Sequence, residues 1–356
     1  MDDLPEALLA EIVKRLTSPS DLKSLSLVSK RLYAVEGELR NSMYIGCGVF
    51  PVTVALIRLC FRYPNLCKVE FNYSGWTSNH GIQLDKHGLQ VFSSCCTSLT
   101  DLTLNFCTNV DDSGLRLLVC FKKLMSLRLN TLPAITSSGL LPMVVGSKDL
   151  SALHLIGCSK DNDMVTLSNN CSNLTSISLR LTPQHNEGYV FRTSLTDDSL
   201  KALALRCCKL QSFELIFWAC DESWPEIGFT EEGLVMLIQS CPIRNLMLSG
   251  AHIFDDEGMK AVSSAQFLES LELTHCIKVT NAGMRLLAHC PSLINLTLCQ
   301  CDRFSDAGVT EVARALKLET LVIEGCSRVS PEAVQGAATS VLYKEDYPGL
   351  YNLGRV

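Results

Sequence analysis

The apolar positions of the chain recur as Leu-x-x-Leu-x-Leu, with starts at Leu66, Leu99, Leu124, Leu150, Leu174, Leu210, Ile243, Leu268, Leu293 and Leu318. Six of the nine spacings are 24 to 26 residues; the other three, 33, 36 and 33, each fit one unit carrying an insertion of about 8 to 11 residues. The first half of a unit alternates apolar and polar, as in Leu293-Ile-Asn-Leu296-Thr-Leu298, which predicts a strand with one buried face. The second half sets apolar residues at i, i+3 and i+4 after an Asp or Asn and a Gly: Leu115, Leu118 and Val119 in one unit, Met284, Leu287 and Ala288 in another. That pattern predicts a short, N-capped helix with one buried stripe. Met43-Tyr-Ile45, 26 residues before Val69-Glu-Phe71, reads as a degenerate first copy.

One strand and one helix cannot bury their apolar faces alone, so such units stack. The expected fold is an α/β solenoid over residues 42–338, about ten or eleven units, with a parallel sheet on the concave side and helices on the convex side. Residues 339–356, with Tyr343, Tyr347 and Tyr351, depart from the pattern and read as a C-terminal cap or tail.

Residues 2–41 do not follow the repeat. Asp3 and Glu6 have capping-box spacing with Pro5 in the first turn, and Leu8, Leu9, Ile12 and Leu16 follow at helical spacing. Thr17-Ser18-Pro19-Ser20 breaks that helix, and Asp21 opens another carrying Leu22, Leu25 and Val28. About forty residues in short helices bury little core, so some of these leucines should be covered by the array or by a partner.

Apolar residues make up 47% of the chain against 19% charged, which supports a large core and excludes a disordered polyelectrolyte. A net charge of −6 supplies no basic stripe for nucleic acid. The longest uncharged apolar run, Ile45 to Ile57, is too short to span a bilayer, and the acidic Met1-Asp2-Asp3 start is unlike a signal peptide. These features predict an intracellular protein, cytoplasmic or nuclear, whose partners are proteins.

The eighteen cysteines fit the repeat better than a disulfide framework. Cys107, Cys158, Cys276, Cys301 and Cys326 fall eight residues after a unit's first Leu, and Cys96, Cys171, Cys207 and Cys290 three residues before the next. Equivalent slots for a small buried side chain explain these nine. With that register the array resembles the cysteine-containing subfamily of leucine-rich repeats.

The N-terminal stretch resembles an F-box, the helical module by which substrate receptors dock on the Skp-family adaptor of cullin ubiquitin ligases. The resemblance rests on Leu4-Pro5, on Ile12 and Leu16, and on Asp21-Leu22 followed by Leu25, Val28-Ser29 and Lys30-Arg31. The aromatic that many F-boxes carry soon afterwards is displaced to Tyr33, with Leu32 between. Adaptor contacts implied by the resemblance are Leu4, Pro5, Leu8, Ile12, Leu16, Leu22, Leu25, Val28, Ser29 and Leu32. It further implies a non-catalytic receptor subunit that presents a target protein for ubiquitination and degradation. Competing readings are a small-molecule co-receptor of the same family and a leucine-rich scaffold unconnected with ubiquitin.

No nucleophile elbow, P-loop, dinucleotide fingerprint, His-Glu-x-x-His or Cys-x-x-Cys occurs, so no enzyme, cofactor or metal site is expected. Binding residues are sought instead on the outward strand positions and on the insertions, which run from Ser74 to Leu84, Pro183 to Leu195 and Asp221 to Phe229. The candidates for substrate are Trp76, Arg128, His154, Arg180, Glu214, Phe217, Trp218, Trp224 and Glu272. The three tryptophans gather at the insertions, and tryptophan is over-represented at binding hot spots.

Overall fold

A computed structural model describes residues 4–16, 18–47, 52–77, 82–156, 164–181, 195–217 and 229–345. The chain forms two compact units, residues 1–149 and 150–356.

The first unit opens with helices α1 (Glu6–Arg15), α2 (Pro19–Ser26) and α3 (Lys30–Leu39). Their core is Leu9, Val13, Leu32 and Val35, with Leu4, Leu22, Leu25 and Leu39 packed against it. Pro5, not Asp3, is the N-cap of α1, and its carbonyl accepts from the Leu8 and Leu9 amides. Asp3 lies outside the described residues. Pro19 rather than Asp21 starts α2, at the position where a missing N–H leaves nothing unpaired. Ser29 caps α3 by accepting the Leu32 amide at 3.2 Å, so the stretch folds as a third helix that the apolar spacing did not separate.

Strands β1 (Ser42–Ile45), β2 (Lys68–Asn72), β3 (Asp101–Asn105) and β4 (Ser126–Asn130) follow, alternating with α4 (Val52–Arg62), α5 (Lys86–Cys95), α6 (Asp112–Leu115) and, after β4, α7 (Ser137–Gly146). The strands pair in parallel and in sequence order. Met43 lies opposite Val69 and Ile45 opposite Phe71, so the degenerate first copy is a true repeat.

The second unit contains β5 (Ala152–Ile156), α8 (Met164–Asn170), β6 (Ser176–Leu181), α9 (Asp197–Arg206), β7 (Ser212–Phe217), α10 (Glu231–Ser240) and β8 (Asn245–Ser249). It continues with α11 (Asp256–Ser263), β9 (Ser270–Thr274), α12 (Asn281–Leu287), β10 (Asn295–Cys299), α13 (Asp306–Ala315), β11 (Leu318–Glu324), α14 (Pro331–Val334) and β12 (Ala338–Lys344). Here too each strand pairs in parallel with its neighbour in sequence. Leu246, Leu271, Leu296 and Leu321 stand opposite one another, as the Leu-x-x-Leu-x-Leu alignment requires. The last strand begins where the repeat pattern fades. Val341 and Tyr343 occupy the places opposite Leu321 and Ile323, so the stretch read as cap or tail continues the sheet as far as it is described. Its unit is short, and Val and Tyr replace the expected leucines, which hid it from the periodicity.

Asp85 and Asp111 cap their helices as expected, accepting the Gly88 and Gly114 amides at 2.8 and 2.9 Å, but in several units the Asp or Asn nearer the Gly already lies inside the first turn. The caps are the residues before, Asp111, Thr280 and Ser305. The acid or amide in the first turn reaches to the next unit: Asp112 accepts the Thr136 amide at 2.7 Å and its hydroxyl at 2.6 Å, and Asp256 does the same for Thr280 at 2.8 and 2.6 Å. Asn281 and Asp306 repeat the contact with the amides of Ser305 and Ser330. The Gly two residues into the next helix makes room, since a Cβ on Gly139 would collide with Asp112 and one on Gly283 with Asp256. A hydrogen-bonded ladder thus joins helix starts that otherwise leave amides unpaired.

Cysteines of the repeat slots are buried free thiols: Cys96, Cys107, Cys171, Cys207, Cys276, Cys290, Cys301 and Cys326. Several donate to carbonyls of the preceding unit, as Cys301 does to Leu273 at 3.6 Å and Cys326 to Leu298 at 3.5 Å. Cys158 lies outside the described residues.

Candidate functional site

Helix α1 is apolar on two faces. Leu9 and Val13 turn into the three-helix core, whereas Leu8 and Ile12 stay exposed. The turn between α2 and α3 adds Leu27, 78% exposed, and Val28. Monomeric proteins rarely leave so many large side chains in water within forty residues unless a partner covers them.

The expected adaptor contacts therefore divide. Pro5, Leu8, Ile12 and Val28 are exposed. Leu4, Leu16, Leu22, Leu25 and Ser29 are half-buried, and of these Leu4, Leu22 and Leu25 pack on the helical core while Ser29 serves as a cap. Leu32 is a correction: at 1% exposure it is a central core residue and offers no contact surface, because α3 turns it inward between α1 and Val35. Leu27 was missed. It breaks the helical spacing of Leu22, Leu25 and Val28, and the turn that projects it outward leaves no periodic signal.

On the sheet face of the first unit, an open groove of about 680 Å³ is lined by Arg40, Tyr44, Lys68, Glu70, Asp101 and Arg128, among others. Tyr44, Glu70, Thr103 and Arg128 stand side by side across β1–β4. Glu70 accepts from Asn105 at 2.8 Å, and Lys68 lies 3.8 Å from Asp101, while Arg128 is exposed. Trp76 is half-buried, its amide donating to the Tyr73 carbonyl at 2.9 Å.

In the second unit His154, Glu214 and Glu272 occupy one outward row, with Ser178 and Met247 between them. Burial raises the Glu272 carboxyl above its ordinary range, and Glu214 and Glu324 add repulsion. Arg180 sits two residues beyond Ser178, opposite Ile216, its guanidinium pulled down by burial and supported by Glu214. Phe217 is the second correction. It is 6% exposed and stacks on Phe229 with ring centroids 5.7 Å apart, so it fills the interior at the strand end. The alternation of β7 holds to its end, turning Phe213, Leu215 and Phe217 inward and Glu214 and Ile216 outward, so an outward Phe217 is out of step with its own strand. Trp218 and Trp224, with most of the second and third insertions, lie outside the described residues.

Among the described residues no three His, Cys, Asp or Glu side chains are arranged to hold a metal ion, and no helix is long and apolar enough to cross a membrane.

Comparison with solved structures finds similar chains, the TLR13 one with the same fold. The chain is 15% identical to a chain of the TLR13–ssRNA13 complex, with a TM-score of 0.51, covering 89% of this chain and 45% of that one. It is 17% identical to a chain of the crystal structure of the Rad7 and Elc1 complex in yeast, with a TM-score of 0.45, over 92% of this chain and 94% of that one. The two-faced helix and the open turn belong to a recognised module: residues 1–38 match the F-box domain.

Proposed function

We propose that the chain is a substrate receptor of a ubiquitin ligase of the Skp–cullin–F-box type. The observation that carries this reading is the exposed set Leu8, Ile12, Leu27 and Val28 within the F-box match. A Skp-family adaptor covers those side chains, and burying each contributes on the order of 1.5–3 kcal/mol. The sheet faces and their insertions then hold a target protein, whose ubiquitination commits it to degradation. The receptor makes no bond itself; it supplies effective concentration and orientation to the conjugating enzyme. The repeats are of the cysteine-containing leucine-rich class, on the recurring slots of Cys276, Cys301 and Cys326. The working compartment is cytoplasmic or nuclear, where such thiols stay reduced.

The test is co-purification with a Skp-family adaptor. The wild-type chain is expected to bind stoichiometrically, and a double Ile12→Glu, Val28→Glu variant to lose binding with its melting temperature unchanged. A folded wild-type chain that leaves the adaptor unbound would overturn the reading and make the helices a cap on a non-ligase scaffold.

A further inference from the structure

The outward slots of the repeat helices carry polar side chains. In α5, His87, Gln90 and Ser94 are exposed, one residue before, two after and six after the buried Gly88. In α11, Glu257, Lys260 and Ser264 hold the same places around Gly258. Helix α4 precedes α5 by one repeat, as the pairing of Val69 with Leu102 fixes, and its buried Leu56 matches the buried Leu89. Its outward slots are filled by Val54, Ile57 and Phe61, which are 43%, 39% and 83% exposed. An apolar ridge about 10 Å long therefore occupies a helix face that α5 and α11 give to water.

The ridge adjoins the helical module. Arg62, the residue after Phe61, donates to Glu36 of α3 at 2.6 Å and lies over the Tyr33 ring, 3.3 Å from its centroid. Tyr33 is itself 49% exposed and stands one turn beyond Ser29, the cap of α3 that follows the exposed Val28. Exposed apolar side chains thus continue from the turn between α2 and α3, past Tyr33, onto α4.

We propose that Val54, Ile57 and Phe61 form a second docking surface for the Skp-family adaptor, whose footprint runs from the F-box onto the first repeat. The proposal rests on the ligase reading and extends it. A partner that covers Val28 and Tyr33 meets Phe61 next, because the Arg62 bridge fixes the end of α4 beside α3. The ridge has the make-up of a contact centre, large apolar side chains with a polar rim supplied by the exposed Arg58. Contact on both sides of the bridge holds the first repeat in one orientation to the ligase.

The test titrates the full chain with a Skp-family adaptor by calorimetry. Ile57→Gln with Phe61→Ser copies the residues that α5 carries at the same slots, so the helix is expected to keep its melting temperature. Adaptor affinity is expected to fall about tenfold or more. Phe61→Ser alone replaces the pair if the pair lowers the melting temperature. The comparison is Ile12→Glu with Val28→Glu, which removes the F-box contact. Loss of binding in that variant together with unchanged affinity in the α4 variant would overturn the second surface and leave the ligase reading intact. A wild-type chain that binds no adaptor would overturn both. Sedimentation of the chain alone adds a third outcome: self-association that Phe61→Ser abolishes, with adaptor affinity unchanged, would assign the ridge to a second copy and overturn the proposal.

Discussion

Glu36 Oε2 accepts a hydrogen bond from Arg62 Nη2 at 2.6 Å, while its other oxygen takes Arg40 Nε at 2.5 Å. The carboxylate is 1% exposed and belongs to the last helix of the F-box match; Arg62 ends the helix of the first repeat. Arg62 also lies over the Tyr33 ring, and the Gly37 backbone leaves no room for a Cβ beside it. The small helical module is thereby bonded to the repeat that follows it. Removing one partner of a buried pair strands the other's charge.

Glu36→Ala is accordingly expected to destabilise the first unit by about 3–5 kcal/mol. Urea denaturation followed by tyrosine fluorescence checks it, and a loss under 1 kcal/mol would show the bridge to be incidental.

Leu32 and Leu8 should respond in opposite ways. Leu32→Ala opens a cavity among Leu9, Val13 and Val35 and is expected to cost about 2–5 kcal/mol of stability. Leu8→Ala, on the open face, is expected to leave the melting temperature within about a degree and weaken adaptor binding several-fold. Calorimetry and adaptor titration separate the two effects.

The helix-start ladder predicts coupling between positions 27 residues apart. Gly283→Ala drives a methyl against Asp256 and is expected to cost about 1–3 kcal/mol. In an Asp256→Ala background the same change should cost clearly less, because the colliding carboxylate is gone. A double-mutant cycle with additive losses would remove the steric account of the Asp-x-Gly pattern.

Glu272 gives a pH signature of defined sign. Its carboxyl is raised in the folded chain above the ordinary 4.5, so the folded state holds that proton more tightly than the unfolded one. The stability this contributes is complete below the unfolded value and is lost as pH rises through the folded one. Glu272→Gln is therefore expected to raise the melting temperature at pH 7, with the gain vanishing below about pH 4.5. An equal gain at both pH values would mean that relief of charge is not the cause.

Much of the architecture was legible in the sequence because its signals are local. Period-two alternation selects the inward leucines, the 24- to 26-residue spacing sets the strand register, and Leu4-Pro5 with Asp21-Leu22 marks the N-terminal module. Burial of the cysteine slots followed from the same register. What sequence periodicity did not contain is which of two apolar faces stays open. Leu8 and Leu9 are equally apolar neighbours, and Leu32 looks as available as Val28, until the packing of three helices turns Leu9 and Leu32 inward and leaves Leu8 and Val28 outside. Nor does spacing pair Glu36 with Arg62 or Asp256 with Gly283. Each contact spans more than twenty residues and depends on two side chains meeting between packed elements, a relation that only the tertiary structure decides.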